Sequence, residues 1–590
     1  MTLLETIYKN ESNLIEQVKV FIKQDVDLNE VTEYCESALR VASNNGRFDV
    51  IQLLLDSGAD KTQLGWSDTF FNVVFGNLSS IKQSVLDNND LESRDFWDKT
   101  PFLLSLQLGD LDKCILLLDL GADKEAVGRN DKPAIAYAIE NNHLSILKWL
   151  VEIDMDVESQ FMSSPLAFAC ELGSTDCIEW LVKQNDDISG ILKSAINRAK
   201  TLEIVQILVD NGADINDINN RMHAELLGLE LDGILETTKQ TYLTTKNRHF
   251  GTKNPEVMKV EFWYEMIKKG GSAWGARDHY SDTEDSNGDA VWSYQRFGKS
   301  TTILDNGYII EIAGEHEDYY DPDFCIYNDV IVFDQQRNFT IYSYPRSVFP
   351  PTDFHTATLI EKNNLLIIGN LGYPEDRIEE TQLYLLNLEN FKIQKVSASG
   401  QSPGWIHGHK ATLSEDKQTV MISKGKIDLG SDSSLQENID DWSLNLTTWE
   451  WKRLTTRKWT RFEINRCHKK ANHLWEIRQA LWALETNWQD NYDKDITSLE
   501  KELHYKPDVK LIKTLYSFNL EHTALQEDFD ESGVYWLFID GIKVRFVEEM
   551  DGLQVSIEGE LAENIINCLV QSLLTKLSVL ENSTFEVRYF

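Results

Sequence analysis

Between residues 38 and 210 apolar positions recur at three- and four-residue spacing in short runs that glycine closes. Ala38-Leu39-Arg40-Val41-Ala42 is followed by Val50-Ile51, Leu53-Leu54-Leu55 and then Gly58-Ala59-Asp60. This spacing predicts two short amphipathic helices per unit, with glycine at the left-handed residue that ends the second. From Trp292 to about 455 the period shortens to alternating runs bounded by turn residues, which predicts strands. Helical spacing returns over 456–515, where Leu474, Trp475, Ile477, Leu481, Trp482 and Leu484 share a face. Residues 534–539, 542–547, 553–557 and 585–589 read as strands around an apolar helix at 561–580, and Asp540-Gly541 predicts a hairpin turn.

The helical third repeats itself. Thr100-Pro101-Phe102-Leu103 opens a copy that ends Leu116-Leu117-Leu118 and Gly121-Ala122-Asp123, and another ends Ile207-Leu208-Val209 and Gly212-Ala213-Asp214. Gly58 to Gly121 is 63 residues and Gly121 to Gly212 is 91, or two and three units of about 30 to 32. This period, the Thr-Pro opening and the Gly-Ala-Asp close resemble the ankyrin repeat family over residues 35–216, about six repeats. The unit from Asp68 to Asp90 departs from it, with Thr69-Phe70-Phe71 for Thr-Pro-Leu and Asn88-Asn89 for the glycine. The resemblance implies an α-solenoid that works as a binding surface. It also places Trp66, Phe96, Trp97, Arg129 and Met162 at exposed finger tips as candidate partner-binding residues.

The strand-rich third has its own period. His355 to His409 is 54 residues, Asp334 to Asn387 is 53 and Asn387 to Asn445 is 58. Gly400-Gln401-Ser402-Pro403 ahead of His407, single glycines at Gly314, Gly369 and Gly425, and Asn328-Asp329-Val330 resemble kelch repeats over residues 290–455. Three units are visible where a closed propeller needs at least four blades, so the expectation is a kelch-like β-propeller or partial propeller. The expected division is a helical cap at 1–34, the ankyrin array at 35–220, a helical connector at 221–289, the kelch-like domain at 290–455 and a helical plus α+β module at 456–590. The expected fold class is thus multidomain, with α and β parts.

Charge narrows the partners. The 590 residues carry 57 basic and 96 acidic side chains, a formal −39, and residues 1–220 alone hold 18 basic against 37 acidic. Such a field repels phosphate backbones and anionic lipid, so neither nucleic acid nor a membrane surface is an expected partner, and a basic protein is. The opening Met1-Thr-Leu-Leu-Glu has no basic, apolar leader pattern, and the seven cysteines form no Cys-x-x-Cys pair. A reduced, cytoplasmic chain is expected.

No motif for chemistry survives its context. Gly400-Gln401-Ser402-Pro403-Gly404 has the spacing of a nucleophile elbow, yet Pro403 and a strand follow the serine where a helix is required. Tyr294 to Ser300 lacks the first glycine of a phosphate-binding loop. The densest constellation is Glu315, His316, Glu317, Asp318, Asp321 and Asp323, read as a loop between strands and as a second candidate partner-binding site. The function expected is non-catalytic: binding and sequestering or inhibiting a basic protein, in an immunity-type role, with no cofactor, catalytic residue or metal ligand. The alternatives are an adaptor that delivers a target to a larger enzyme complex, and an enzyme with a metal or acid–base site in the kelch-like domain.

Overall fold

The computed structural model describes residues 2–10, 13–155, 164–184, 189–231, 235–282, 290–316, 324–361, 363–428, 435–457, 459–467, 474, 514–518, 525–529, 535–548 and 552–589. The chain divides into two compact units, Met1–Asp353 and Phe354–Phe590, so the boundary falls within the 290–455 segment.

In the first unit, helices come in pairs. Leu3–Lys9 and Leu14–Lys23 are followed by six pairs, from Ala38–Asn44 with Phe48–Asp56 to Ser189–Asn197 with Leu202–Asp210. The first helices stack on one another, Asp68–Phe75 on Pro101–Leu108, then Ala134–Glu140, Pro165–Leu172 and Ser189–Asn197. One continuous apolar cluster from Leu3 to Met222 joins them. Each pair buries its apolar stripe only against its neighbours, which is the logic of a solenoid.

Local chemistry sets the boundaries of the pairs. The Thr100 hydroxyl accepts the Leu103 N–H at 3.2 Å, and Pro101 occupies the first helical position, where an N–H is not needed. Gly58, Gly121 and Gly212 take φ of 95°, 100° and 96°, the left-handed conformation that closes each pair. In the divergent unit Asn89 does the same at φ 50°, because asparagine tolerates that region better than most side chains.

The first unit continues through helices Asn220–Leu227, Lys239–Thr245, Glu261–Lys268 and Ala273–His279 to an antiparallel sheet. Its order is Glu256–Met258, Phe339–Ser343, Val330–Phe333, Ile309–Ile312 and Ser300–Ile303. The edge strand Glu256–Met258 comes from the stretch expected to be a purely helical connector.

The second unit holds two similar meanders. One orders Ile393–Lys395, Leu383–Asn387, Asn364–Ile368 and Thr356–Glu361. The other orders Ser399–Gly400, Glu450–Arg453, Trp442–Asn445, Thr419–Ser423 and Lys410–Leu413. A six-stranded sheet follows, with helix Glu563–Leu580 sharing its apolar cluster. Within that sheet the Asp540-Gly541 turn joins Tyr535–Ile539 to Ile542–Glu548.

One expectation fails in that sheet. Residues 460–466, read as helical, form strand Thr460–Arg466 between Gly552–Ile557 and Phe585–Tyr589. Phe462 and Ile464 are buried and Arg461, Glu463 and Asn465 are not, which is a two-residue period. Trp475, Ile477, Leu481, Trp482 and Leu484 lie outside the described residues.

Candidate functional site

The finger before helix Pro101–Leu108 is a tight loop. Asp95 N–H donates to Lys99 O at 3.0 Å, and the Asp95 carboxylate accepts the N–H groups of Trp97 and Lys99 at 2.9 Å. Thirty-three residues on, Gly128 N–H donates to Lys132 O at 2.9 Å in the equivalent place. Such matched fingers put their tips in one row.

Beside these tips, the guanidinium of Arg40, from helix Ala38–Asn44, lies 4.0 Å over Phe96, and Phe96 meets Trp97 edge-on at 5.1 Å. Arg129 lies 5.4 Å from the Trp97 ring. The Trp97 indole donates to Arg40 O at 2.8 Å, and Arg129 N–H to Trp97 O at 3.2 Å. Phe96 and Trp97 are half-buried and Arg129 is exposed. The result is a fixed ladder of cation, ring, ring and cation.

Trp66 is not part of it. It is 9% exposed and packs against Phe70 at 6.4 Å and Phe71 at 5.3 Å, so its expected place at an exposed tip is corrected. The aromatic pair that replaces Thr-Pro-Leu in the divergent unit draws the indole inward. Met162 lies outside the described residues.

Beneath the fingers runs a buried polar row. Lys99 Nζ, 1% exposed, donates to Ser43 O at 2.9 Å, Ser43 Oγ at 3.1 Å and Gln107 Oε1 at 2.9 Å, with Asp95 at 3.7 Å. Burial pushes its ammonium down to about 8 against the pull of Asp95. In the next repeat Lys132 pairs with Glu140, the position equivalent to Gln107.

A second constellation lies where helix Asn220–Leu227 meets the first sheet. Glu311, in the apolar strand Ile309–Ile312, is buried and accepts from Tyr294 Oη at 2.9 Å and Lys299 Nζ at 2.9 Å, and it pairs with His223 Nε2 at 2.7 Å. Burial alone would raise its pKa, but Lys299 and His223 outweigh it and hold the carboxyl well below the usual range. Arg296 pairs with Asp329 and stacks on Tyr327 at 3.4 Å. Beside these groups opens a cavity of about 420 Å³.

His316 lines this cavity. Glu315–His316 is a short strand paired with Cys325–Ile326, and the His316 ring is 1% exposed, so the expectation of an open loop is corrected at these two residues. Antiparallel pairing turns the imidazole onto Tyr327 and Cys325. Glu317, Asp318, Asp321 and Asp323 lie outside the described residues. His223 and Glu311 were missed from the sequence and Lys299 entered only within the rejected Tyr294–Ser300 motif, although a glutamate inside Ile309-Ile310-Glu311-Ile312 signals a buried carboxylate that needs partners.

In the second unit His355, His407 and His409 are all buried, and His409 Nε2 meets Thr356 Oγ1 at 2.9 Å. Among the described residues no group of three or more His, Cys, Asp or Glu is arranged to hold a metal ion. Ser402 Oγ accepts the Gly404 N–H at 3.3 Å and the chain enters strand Trp405–His407, not a helix. No described helix is long and apolar enough to cross a membrane.

Comparison with known proteins bears on the helical array. The chain is 25% identical over 191 residues to ankyrin repeat protein nuc-2 of Neurospora crassa, a match covering 30% of this chain and 18% of that protein. It is 27% identical over 168 residues to the fowlpox virus ankyrin repeat protein FPV014, covering 27% of this chain and 38% of the relative. The N-terminal part is homologous to ankyrin repeat proteins. The chain spans less than two-fifths of the length of either relative. No family model matches the chain. Among solved structures, the human ASB11 ankyrin repeat domain overlaps 38% of this chain and 90% of its own, with 19% identity and a TM-score of 0.20.

Proposed function

We propose that this chain is a non-catalytic protein-interaction protein, with the finger row of its ankyrin array as the docking surface. The observation that carries this is the Arg40, Phe96, Trp97, Arg129 ladder, two half-buried rings held in fixed orientation by neighbouring fingers. Rings that are already ordered lose little freedom when a partner covers them, which is what makes aromatic and arginine side chains good anchors. The protein bound is basic: Asp98 and Asp131 stand exposed on the same fingers, and residues 1–220 carry 18 basic against 37 acidic side chains. Binding of this kind sequesters or inhibits the partner, in an immunity-type role. We read the first unit's sheet and the two meanders of the second unit as kelch-like repeats, which the repeated four-strand order and the 53- to 58-residue spacing support.

The test is affinity purification of the full chain with identification of the retained protein, then binding kinetics against salt. A basic partner whose association slows with salt is expected. Phe96→Ala, which removes a half-buried ring and leaves Asp98 and Asp131 in place, is expected to weaken binding by about 2 kcal/mol. An acidic partner, or undiminished binding by Phe96→Ala, overturns the reading.

A further inference from the structure

The cavity beside Glu311 has a lining at odds with the rest of the chain. In a protein with 96 acidic side chains, its described lining contains Arg296, Lys299, His223 and His316 and no aspartate or glutamate. Glu311, which pairs with Lys299 and His223, and Asp329, which pairs with Arg296, are buried and do not line it. The cavity therefore presents donors while the compensating negative charge lies behind them.

His316 points to what is missing. Its Nδ1 is bonded to the Tyr327 hydroxyl, and its Nε2 is buried with no hydrogen-bond partner. With the Tyr327 hydroxyl donating to Nδ1, the neutral imidazole carries its proton on Nε2, and this edge of the ring is then an unanswered donor in the wall of a cavity. A buried donor without an acceptor costs free energy that a ligand oxygen recovers. Lys299 adds to this, since an ammonium has three donors and Glu311 takes one of them at 2.9 Å.

The same cavity is lined by two solvent-facing rings, Trp274 at 70% and Phe297 at 65% exposure. Trp274 is the one exposed tryptophan among the described residues. A volume of about 420 Å³ lies in the range of small-molecule sites, which pair an apolar wall with a few fixed polar groups. Because Arg296 and Lys299 each already hold a carboxylate, the remaining positive field suits a single negative charge better than a dianion.

We infer that this cavity binds a small aromatic carboxylate, its ring against Trp274 and Phe297 and its carboxylate on His316 Nε2 and Lys299 Nζ. The site is separate from the finger row, and it stands whether or not a protein docks there.

Calorimetry on the full chain tests it, with indole-3-acetate, the uncharged indole-3-acetamide and inorganic phosphate as probes. Indole-3-acetate is expected to bind at least about tenfold tighter than the amide or phosphate, the scale of one charge-assisted hydrogen bond. Trp274→Ala, which removes an exposed side chain, is expected to weaken it by about fivefold or more with the melting temperature unchanged. His316→Gln reports on the donor, with circular dichroism confirming that it folds. No binding of indole-3-acetate, equal binding of acid and amide, phosphate binding as tight as the aromatic acid, or unchanged affinity in both Trp274→Ala and Phe297→Ala overturns the inference.

Discussion

The indole N–H of Trp97 donates to the backbone oxygen of Arg40 at 2.8 Å, across 57 residues of chain. The same side chain that offers a ring to a partner thus ties two repeats together, so an alanine there changes stability along with binding. Trp97→Phe keeps a ring and removes only the donor. It is expected to lower stability by about 1 kcal/mol, the net worth of one partly buried hydrogen bond, measured by urea unfolding followed through helical circular dichroism.

Lys99 gives the array a pH signature. Its folded pKa, about 8, lies below the ordinary lysine value, so between pH 8 and about 10.5 the unfolded chain holds the proton more tightly. Stability contributed at this site therefore rises with pH across that window, by up to about 3 kcal/mol, and is flat below it. Other groups titrate in the same range, which makes the difference from Lys99→Met the quantity to measure. If wild type and variant run parallel from pH 7.5 to 10, the buried ammonium is not what the structure shows.

What the sequence disclosed was local. Gly58, Gly121 and Gly212 close their helices where the repeat pattern put them, and Asp540 and Gly541, at φ 51° and 79°, make the turn their dipeptide predicts. Each depends on one or two residues' backbone preferences, which sequence carries directly. Thr460–Arg466 was hidden because its neighbours, Gly552–Ile557 and Phe585–Tyr589, lie about 90 and 120 residues further on, and a seven-residue run does not reveal such partners. Trp66 was misplaced for a related reason, since only packing decides whether Phe70 and Phe71 take the indole in. Of the cavity, the sequence showed His316 and, as a rejected phosphate-loop motif, Tyr294 to Ser300; the pairing with His223 stayed hidden because His223 and Glu311 are 88 residues apart.

Glu311 is the residue on which that corner of the first unit depends. Its carboxyl is held well below the usual range by Lys299 and His223, so its stabilising effect is complete above the ordinary carboxylate pKa and is lost as pH falls below it. Glu311→Gln leaves Lys299 and His223 facing an uncharged amide. A loss of about 3 kcal/mol is expected, the lower end for breaking a buried ion pair, read as an earlier unfolding transition at pH 7. A variant as stable as wild type would show that the pairing contributes nothing net.

The second unit should be sensitive to mild acid through its histidines. Burial pushes His355 down to about 3, His407 to about 4 and His409 to about 3, and the last is lowered further by the other two, which places the three near one another. His407 Nε2 and His409 Nδ1 have no hydrogen-bond partner, so a proton arriving on either ring meets no acceptor. The sign follows from the pKa values. The unfolded chain takes up protons near 6.5 and the folded one only near 3 to 4, so these sites stabilise fully above about 6.5 and lose their contribution as pH falls toward 4. For His409 alone the loss, complete near pH 3, is up to about 5 kcal/mol. Tryptophan fluorescence reports the change, because Trp405 and Trp442 are buried in this unit. His409→Gln keeps a side chain that can bond Thr356 and cannot take up the proton, so the variant's stability should fall less than wild type's between pH 6.5 and 4. Equal acid sensitivity in the two proteins would assign the transition to other groups.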